Sequence, residues 1–202
     1  RGRRIAVGAP GSGTQTLARQ LLRAHGIDGT VAQMIETGGL AAAAGLESGE
    51  LDAAFYVSAP EAPAIQRLML ASGIRLVDAR RADAYVGQFP FLSKLTLPAG
   101  AIDVARDIPA ENQTLVAATA NLLASEDVHP VIVDLLLEAA RKVHGGGGLL
   151  HHAGEFPAVR DREFPVSPDA ERFYRGDYSF LRKYLPFWAA IWVQRFAFFA
   201  IP

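Results

Sequence analysis

The chain is expected to fold as an α/β protein in which a parallel-rich sheet is flanked by helices. Three observations lead there. Short apolar runs alternate with amphipathic stretches over residues 1–80, and glycines stand at the junctions between them. The composition, 50% hydrophobic and 20% charged in 202 residues, is that of an ordinary globular protein with enough length for one good core or two modest ones.

Residues 5–7, Ile-Ala-Val, form the first expected strand. Residues 14–25 form a helix, because Leu17, Leu21 and Leu22 recur at helical spacing before Gly26 stops it. A second strand is expected over residues 30–35. Gly38 and Gly39 then open an alanine-rich helix that reaches Glu47, and Gly49 separates it from a buried strand over residues 51–57. A helix over residues 62–71 and a fourth strand over residues 74–77, Ile-Arg-Leu-Val, complete this unit. Four strands alternating with three helices predict a parallel sheet, since strands that run the same way need a crossover that a helix supplies.

Between about residue 80 and residue 111 the pattern changes. Phe89-Pro90-Phe91, Leu97-Pro98-Ala99-Gly100 and Ile108-Pro109 break the chain into short extended pieces, which read as a connection between lobes. Residues 114–124 are strand-like. Residues 128–143 form an amphipathic helix with Val131, Leu135 and Leu136 on its apolar side, terminated by the glycine run that starts at Gly145. Residues 149–177 read as loop. The tail that starts at Tyr184 and stops at Pro202 is nearly all apolar, interrupted by Gln194 and Arg195. It suits either a core helix or a membrane-seeking segment with Trp188 and Trp192 as interfacial anchors; a span needs ~20 apolar residues, so this one is at or below that length.

The formal net charge is −1, with 20 basic against 21 acidic residues, so no electrostatic bias points to nucleic acid. The absence of cysteine removes disulfides, zinc-thiolate sites and thiol nucleophiles. Arg1-Gly2-Arg3-Arg4 leads straight into the first strand, and that apolar run is too short for a signal peptide. The expectation is a signal already removed, or an N-terminal part that this chain does not show.

The informative motif is Val7-Gly8-Ala9-Pro10-Gly11-Ser12-Gly13-Thr14-Gln15-Thr16, a glycine-rich strand-to-helix turn. Such turns aim backbone N–H groups and the positive end of a helix at one point, which an anion fits. The Ser12 and Thr14 hydroxyls can add donors. A phosphate loop needs lysine after the second glycine, where Thr14 stands, and a hydroxyl next, where Gln15 stands. A dinucleotide fingerprint fails at Thr16, where its third glycine belongs. Ser12 lacks the flanking pattern of a nucleophile elbow. His151 and His152 with Glu155 offer too few ligands for a metal. Phe91, with Phe89, is a candidate to stack on a ligand near a hinge, although aromatic core packing is the favoured reading of the pair. No catalytic residue, metal or cofactor is expected.

The Gly8 to Thr14 turn resembles the signature of the TAXI family of TRAP-transporter solute receptors, relatives of the type II periplasmic binding proteins. Ser48-Gly49-Glu50-Leu51-Asp52-Ala53-Ala54-Phe55 is similar to that family's helix end, strand and hinge-side loop, and Leu97-Pro98-Ala99-Gly100 to its return toward the first lobe. Residues 89–123, 144–148 and 154–174 resemble a subgroup with a hydrophobic C-terminal segment. The resemblance covers nearly the whole chain. It implies a periplasmic-binding-protein-like type II fold, periplasmic and without enzymatic activity, that closes on a small anionic solute, a dicarboxylate or an amino acid. It also implies a signal peptide in the precursor, delivery of the solute to a TRAP-type membrane permease, and first-lobe sequence that precedes what is seen here. Carried over by position, Gly11, Ser12, Gly13 and Thr14 bind the carboxylate, and Tyr56, Val57 and Ser58 form the strand-end loop opposite.

The expected division is therefore an α/β ligand-binding lobe over 1–88, a hinge return with part of the other lobe over 89–176, and an apolar membrane-proximal helix over 177–202. The C-terminal segment from Tyr184 to Pro202 is the candidate contact with the inner membrane. Two other readings stay open: a membrane-tethered ligand sensor with the same fold, and a phosphate-loop enzyme.

Overall fold

A computed structural model of the chain describes residues 2–159 and 164–176. Two compact units are present, Arg1–Thr119 and Ala120–Pro202. The first therefore includes residues 89–119, which the sequence reading placed after a boundary at residue 88.

At the centre of the first unit is β1 (Arg3–Ala6), paired in parallel with β2 (Ala32–Ile35) on one side and β3 (Ala53–Ala54) on the other. The order is β2-β1-β3, with Ala6 opposite both Ile35 and Ala54. Successive side chains of a strand point to opposite faces, so the end of β1 serves two cores. Fully buried Ala6 packs with Ala42 of α2 (Gly39–Glu47), whereas fully buried Val7 packs with Ala18 and Leu22 of α1 (Gly13–Ala24). The two helices thus cover opposite faces. This is what two crossovers of one hand require when the chain passes from β1 to β2 and then back across β1 to β3.

Small residues let α2 lie close to the sheet. Its buried positions are Ala42, Ala43 and Gly45, and a Cβ on Gly45 would meet Leu51 Cδ1 at 2.8 Å. The outer side of α2 receives α3 (Pro63–Leu70) through Ala43, Ala64 and Leu68, reinforced by an ion pair between Arg67 and Glu47.

The fourth strand expected over residues 74–77 does not form. Ile74 joins the α2–α3 cluster, Val77 is 77% exposed, and the segment is tied to residue 114 instead. Thr114 N–H donates to Asp78 Oδ1 at 2.7 Å, and Ala79 N–H donates to the Thr114 carbonyl at 2.8 Å. An apolar alternating run carries no information on which partner will satisfy its backbone, and here the partner is a carboxylate and one carbonyl.

The stretch read as a broken connection contains a helix and a hairpin: α4 (Ala82–Gln88), β4 (Leu92–Leu97) and β5 (Gln113–Ala118). β4 and β5 are antiparallel, from Leu92 opposite Ala118 to Leu97 opposite Gln113. Lys94 Nζ binds Asp83 Oδ2 at 2.8 Å and joins α4 to β4. β5 stops at Ala118, so the strand expected to reach residue 124 is shorter.

In the second unit, α5 (Pro130–His144) packs on α6 (Pro168–Arg175). His129 caps α5 by accepting from Val131 N–H, with Pro130 at the first helical position. The buried residue of α5 is Leu137; Leu135 and Leu136, expected on the apolar side, are 43% and 39% exposed. α6 lies in what was read as loop. Its buried Phe173 takes the Arg141 guanidinium at 5.9 Å from the ring centroid. No helix among the described residues is long and apolar enough to cross a membrane. The expected helix over 177–202, with its membrane contact, lies outside the described residues.

The N-terminal ends of β1 and β3 are clamped by Asp52. Its carboxylate accepts from Arg4 N–H at 2.8 Å and from Arg3 at 2.6 Å, and Asp52 N–H donates to the Arg4 carbonyl at 2.8 Å. These bonds, the Arg4 amide first and the Arg3 guanidinium next, hold the Asp52 carboxyl at about 2, below its ordinary 3.8. A depressed carboxylate stabilises the fold above its unfolded value and loses that effect as pH falls through its folded value. Asp52→Asn should therefore lower the melting temperature at neutral pH, with the difference from the parent shrinking below about pH 4 and vanishing near pH 2. Parallel thermal melts across that range check this.

Candidate functional site

Buried Val7 follows the end of β1, and the backbone must then turn sharply into α1. Gly8 makes the turn at φ +99°, donating its N–H to the Thr37 carbonyl at 3.0 Å. A Cβ at this position would stand 2.9 Å from Gln15 N, Ser12 Oγ and Thr14 Cβ, so only glycine lets the first turn of α1 close down on the strand end. Gly11 also has a positive φ, +73°, but open space around it.

Ser12 is the N-cap of α1. Its Oγ accepts from Gln15 N–H at 3.2 Å, and its hydroxyl proton goes to the Ala9 carbonyl at 2.7 Å. Ser12 N–H donates to the same carbonyl at 3.1 Å, and Gly11 N–H donates to Gln15 Oε1 at 2.9 Å. The amides of Gly13 and Thr14 have no acceptor among the described residues. They sit at the positive end of α1 with Gly13 exposed. The turn is an open edge, with Ala9, Pro10 and Gly11 also exposed.

The strand-end loop after β3 arrives at the same place. Phe55 N–H donates to the Ala6 carbonyl at 2.9 Å, and Val57 N–H donates to Thr14 Oγ1 at 3.3 Å. Thr14 thereby joins the two loops while its own hydroxyl proton remains to be given away. Tyr56 is half-buried, and its hydroxyl donates to the Gly39 carbonyl at 3.1 Å, which holds the loop against the start of α2; burial pushes the phenol pKa up. Ser58 is exposed beside Val57.

This position has a topological meaning. The chain leaves β1 toward β2 on one side, and β3 lies on the other, so the connections diverge at the C-terminal ends of β1 and β3. In open α/β sheets that divergence opens a crevice, and ligands bind in it. The chain matches the NMT1-like family over residues 1–176.

The chain belongs to the NMT1-like family.

The NMT1-like family is of the periplasmic-binding type, and the mixed α/β fold with its parallel sheet agrees with that architecture; membership supports a solute-binding protein. In this member, Gly11, Ser12, Gly13, Thr14, Tyr56, Val57 and Ser58 fall on the two loops that Thr14 joins. Phe91 lies elsewhere in the same unit, in the turn just before β4. Its ring centroid is 6.0 Å from that of Phe89, and its carbonyl accepts from Thr119 N–H. The His151 ring contacts the Gly146 carbonyl at 3.0 Å, and the backbone N–H of His152 donates to Glu155 at 2.6 Å.

The sequence reading missed the side chains that support the turn. Gln15 Nε2 donates to Glu36 Oε1 at 3.0 Å, and Arg19 pairs with the same oxygen at 2.8 Å. Ser12 and Gln15 stand at the spacing of a capping box, and that pattern was there to be read.

Gly8→Ala should cost about 2–4 kcal/mol, the sum of overpacking and a left-handed backbone. Gly11→Ala, with no neighbour to strike, should cost only about 1 kcal/mol. Urea denaturation of both variants separates the two effects, and equal losses would contradict the packing described for Gly8.

Proposed function

We propose that this chain acts as an extracytoplasmic, periplasmic solute receptor of a TRAP-type transporter, holding a small carboxylated solute by lobe closure and performing no chemistry on it. The reading rests on one observation above the others: the Thr14–Val57 hydrogen bond brings the glycine turn and the β3 loop together where the sheet connections diverge. Family membership supports the solute-binding part of the reading.

The chemistry follows from the donors. Two unpartnered amides at a helix start suit a carboxylate, which accepts two parallel N–H bonds without needing a cationic side chain. The Thr14 hydroxyl supplies a third donor. The open edge is the other half of the argument: an anion bound there stays wet until a second wall covers it, and each hydrogen bond strengthens when water leaves. Closure of a second lobe over the turn provides that wall and converts a weak surface contact into a selective one. The solute then passes to the membrane permease, and the apolar C-terminal segment keeps the receptor close to the inner membrane.

The test is calorimetry with succinate and L-glutamate, with succinamide as an uncharged control. The acids should release heat and the diamide should not. Thr14→Val, which removes both the Val57 acceptor and the free hydroxyl, should weaken binding by about five- to tenfold. Absence of heat with every carboxylate tried would overturn the reading.

A further inference from the structure

We propose that the apolar C-terminal segment, residues 184–202, lies against an exposed apolar stripe of α5 while the chain is in water. The stripe is Ile132, Leu135, Leu136, Ala139 and Val143, which recur at helical spacing and so share one side of α5. Buried Leu137, and Arg141 in its contact with Phe173, mark the opposite side as the one that α6 covers. Ile132 is 48% and Val143 71% exposed, so the stripe is bare among the described residues.

A contiguous apolar face of this kind marks a contact, and three observations name the occupant. Among its described residues, the second unit buries Leu137 and Phe173 as its hydrophobic core, which is too thin to offset the chain entropy lost in ordering α5 and α6. The chain also leaves α6 beside α5: Phe173 sits at Arg141, and Gly176 closes the helix at φ +75°. From there residues 177–183 reach at most about 25 Å when extended. With 15 residues α5 is about 22 Å long, so the segment that starts at Tyr184 can meet the stripe. That segment is nearly all apolar, interrupted by Gln194 and Arg195, and it matches a face without charge.

The tether favours this occupant over a second copy. A short linker holds the segment at an effective concentration on the order of millimolar, which a separate molecule does not reach in dilute solution. The surface beside the stripe has a matching shape. Leu135 and Ala139 floor a shallow groove of about 420 Å³ rimmed by Glu138, Arg141 and Lys142. Glu138 has no hydrogen-bond or ion-pair partner among the described residues. An apolar floor with a carboxylate at its rim suits an indole, which has an apolar body and one N–H donor, and the segment carries Trp188 and Trp192. The docking is independent of the ligand, and it gives the segment a place to stay before a bilayer takes it.

Trp188 and Trp192 are the two tryptophans of the chain, so indole fluorescence reports on this segment alone. In lipid-free buffer the full chain should emit at short wavelength, resist quenching by acrylamide, and keep both properties on dilution. Ile132→Asp combined with Leu136→Asp should move the emission to the red and restore quenching, with the circular dichroism of a folded chain. A second measurement serves if that variant fails to fold. Since the sequence has no cysteine, Lys142→Cys carries a nitroxide at one place, the rim of the stripe. The nitroxide should quench the tryptophans, and its reduction should restore them.

Parent emission that is red in buffer and turns blue only with phosphatidylglycerol vesicles would overturn the proposal in favour of the membrane as sole seat. Emission that reddens on dilution assigns the stripe to a second copy and sinks it equally. A parent-like spectrum in the folded double variant, or tryptophans left bright by the Lys142→Cys label, has the same consequence.

Discussion

At Gly8 there is no room for a side chain, and much of the first unit depends on that. The residue follows the buried end of the central strand, its backbone lies in the left-handed region, and the first turn of α1 presses on it from three directions. Because no Cβ intervenes, Ser12 and Thr14 come within contact of the strand end. The helix start is then delivered to the sheet edge at a fixed height. Gly38, at the turn before α2, has an extended backbone and faces the first turn directly: a Cβ there would stand 3.3 Å from Ala9 N and 3.5 Å from Gly8 Cα. Two glycine turns from neighbouring strands are packed against each other, and the loop after β3 closes the group through Thr14 and Tyr56.

The alternation of Ala6 and Val7 carries this local geometry to the scale of the fold. One faces α2 and the other α1, so a single strand end ties both helix layers to the sheet. The helix that covers the Ala6 face is built from alanine and glycine at its buried positions, which brings its axis near the strands. The result is a glycine turn held on both helix layers through one strand end.

The glycine turn, α1, α2 and the course of β1 and β2 were legible because their signals are local: spacing of leucines, glycine at the junctions, a polar cap. The failures share a cause. Residues 74–77 have the alternation of a strand, yet a strand exists only through a partner, and the bonds of Asp78 and Ala79 with Thr114 join residues 36 and 35 apart in sequence. The β4–β5 pairing was hidden for the same reason, since its two halves are separated by a long loop rich in turn residues. α6 is a different kind of miss. Ser167 as cap, Pro168 at the first position, Asp169 and Glu171 in the first turn, arginines in the last and Gly176 beyond the end are all start and stop signals. They were overlooked because the helix is short and its surroundings are rich in proline and charge. Within the site, the members named from sequence lie on backbone turns, whereas the Gln15–Glu36–Arg19 support depends on side chains meeting across two elements.

The outer edge of the sheet at β3 is only two residues long, because Asp52 takes over the hydrogen bonding where the ladder would otherwise continue. Edges of parallel sheets are templates on which stray strands add and chains clump. An edge this brief offers such a strand almost no purchase, and the carboxylate and arginines beside it add charge that an incoming backbone would have to strip of water. The clamp that holds the sheet together at one end thus also leaves an incoming strand little backbone to pair with.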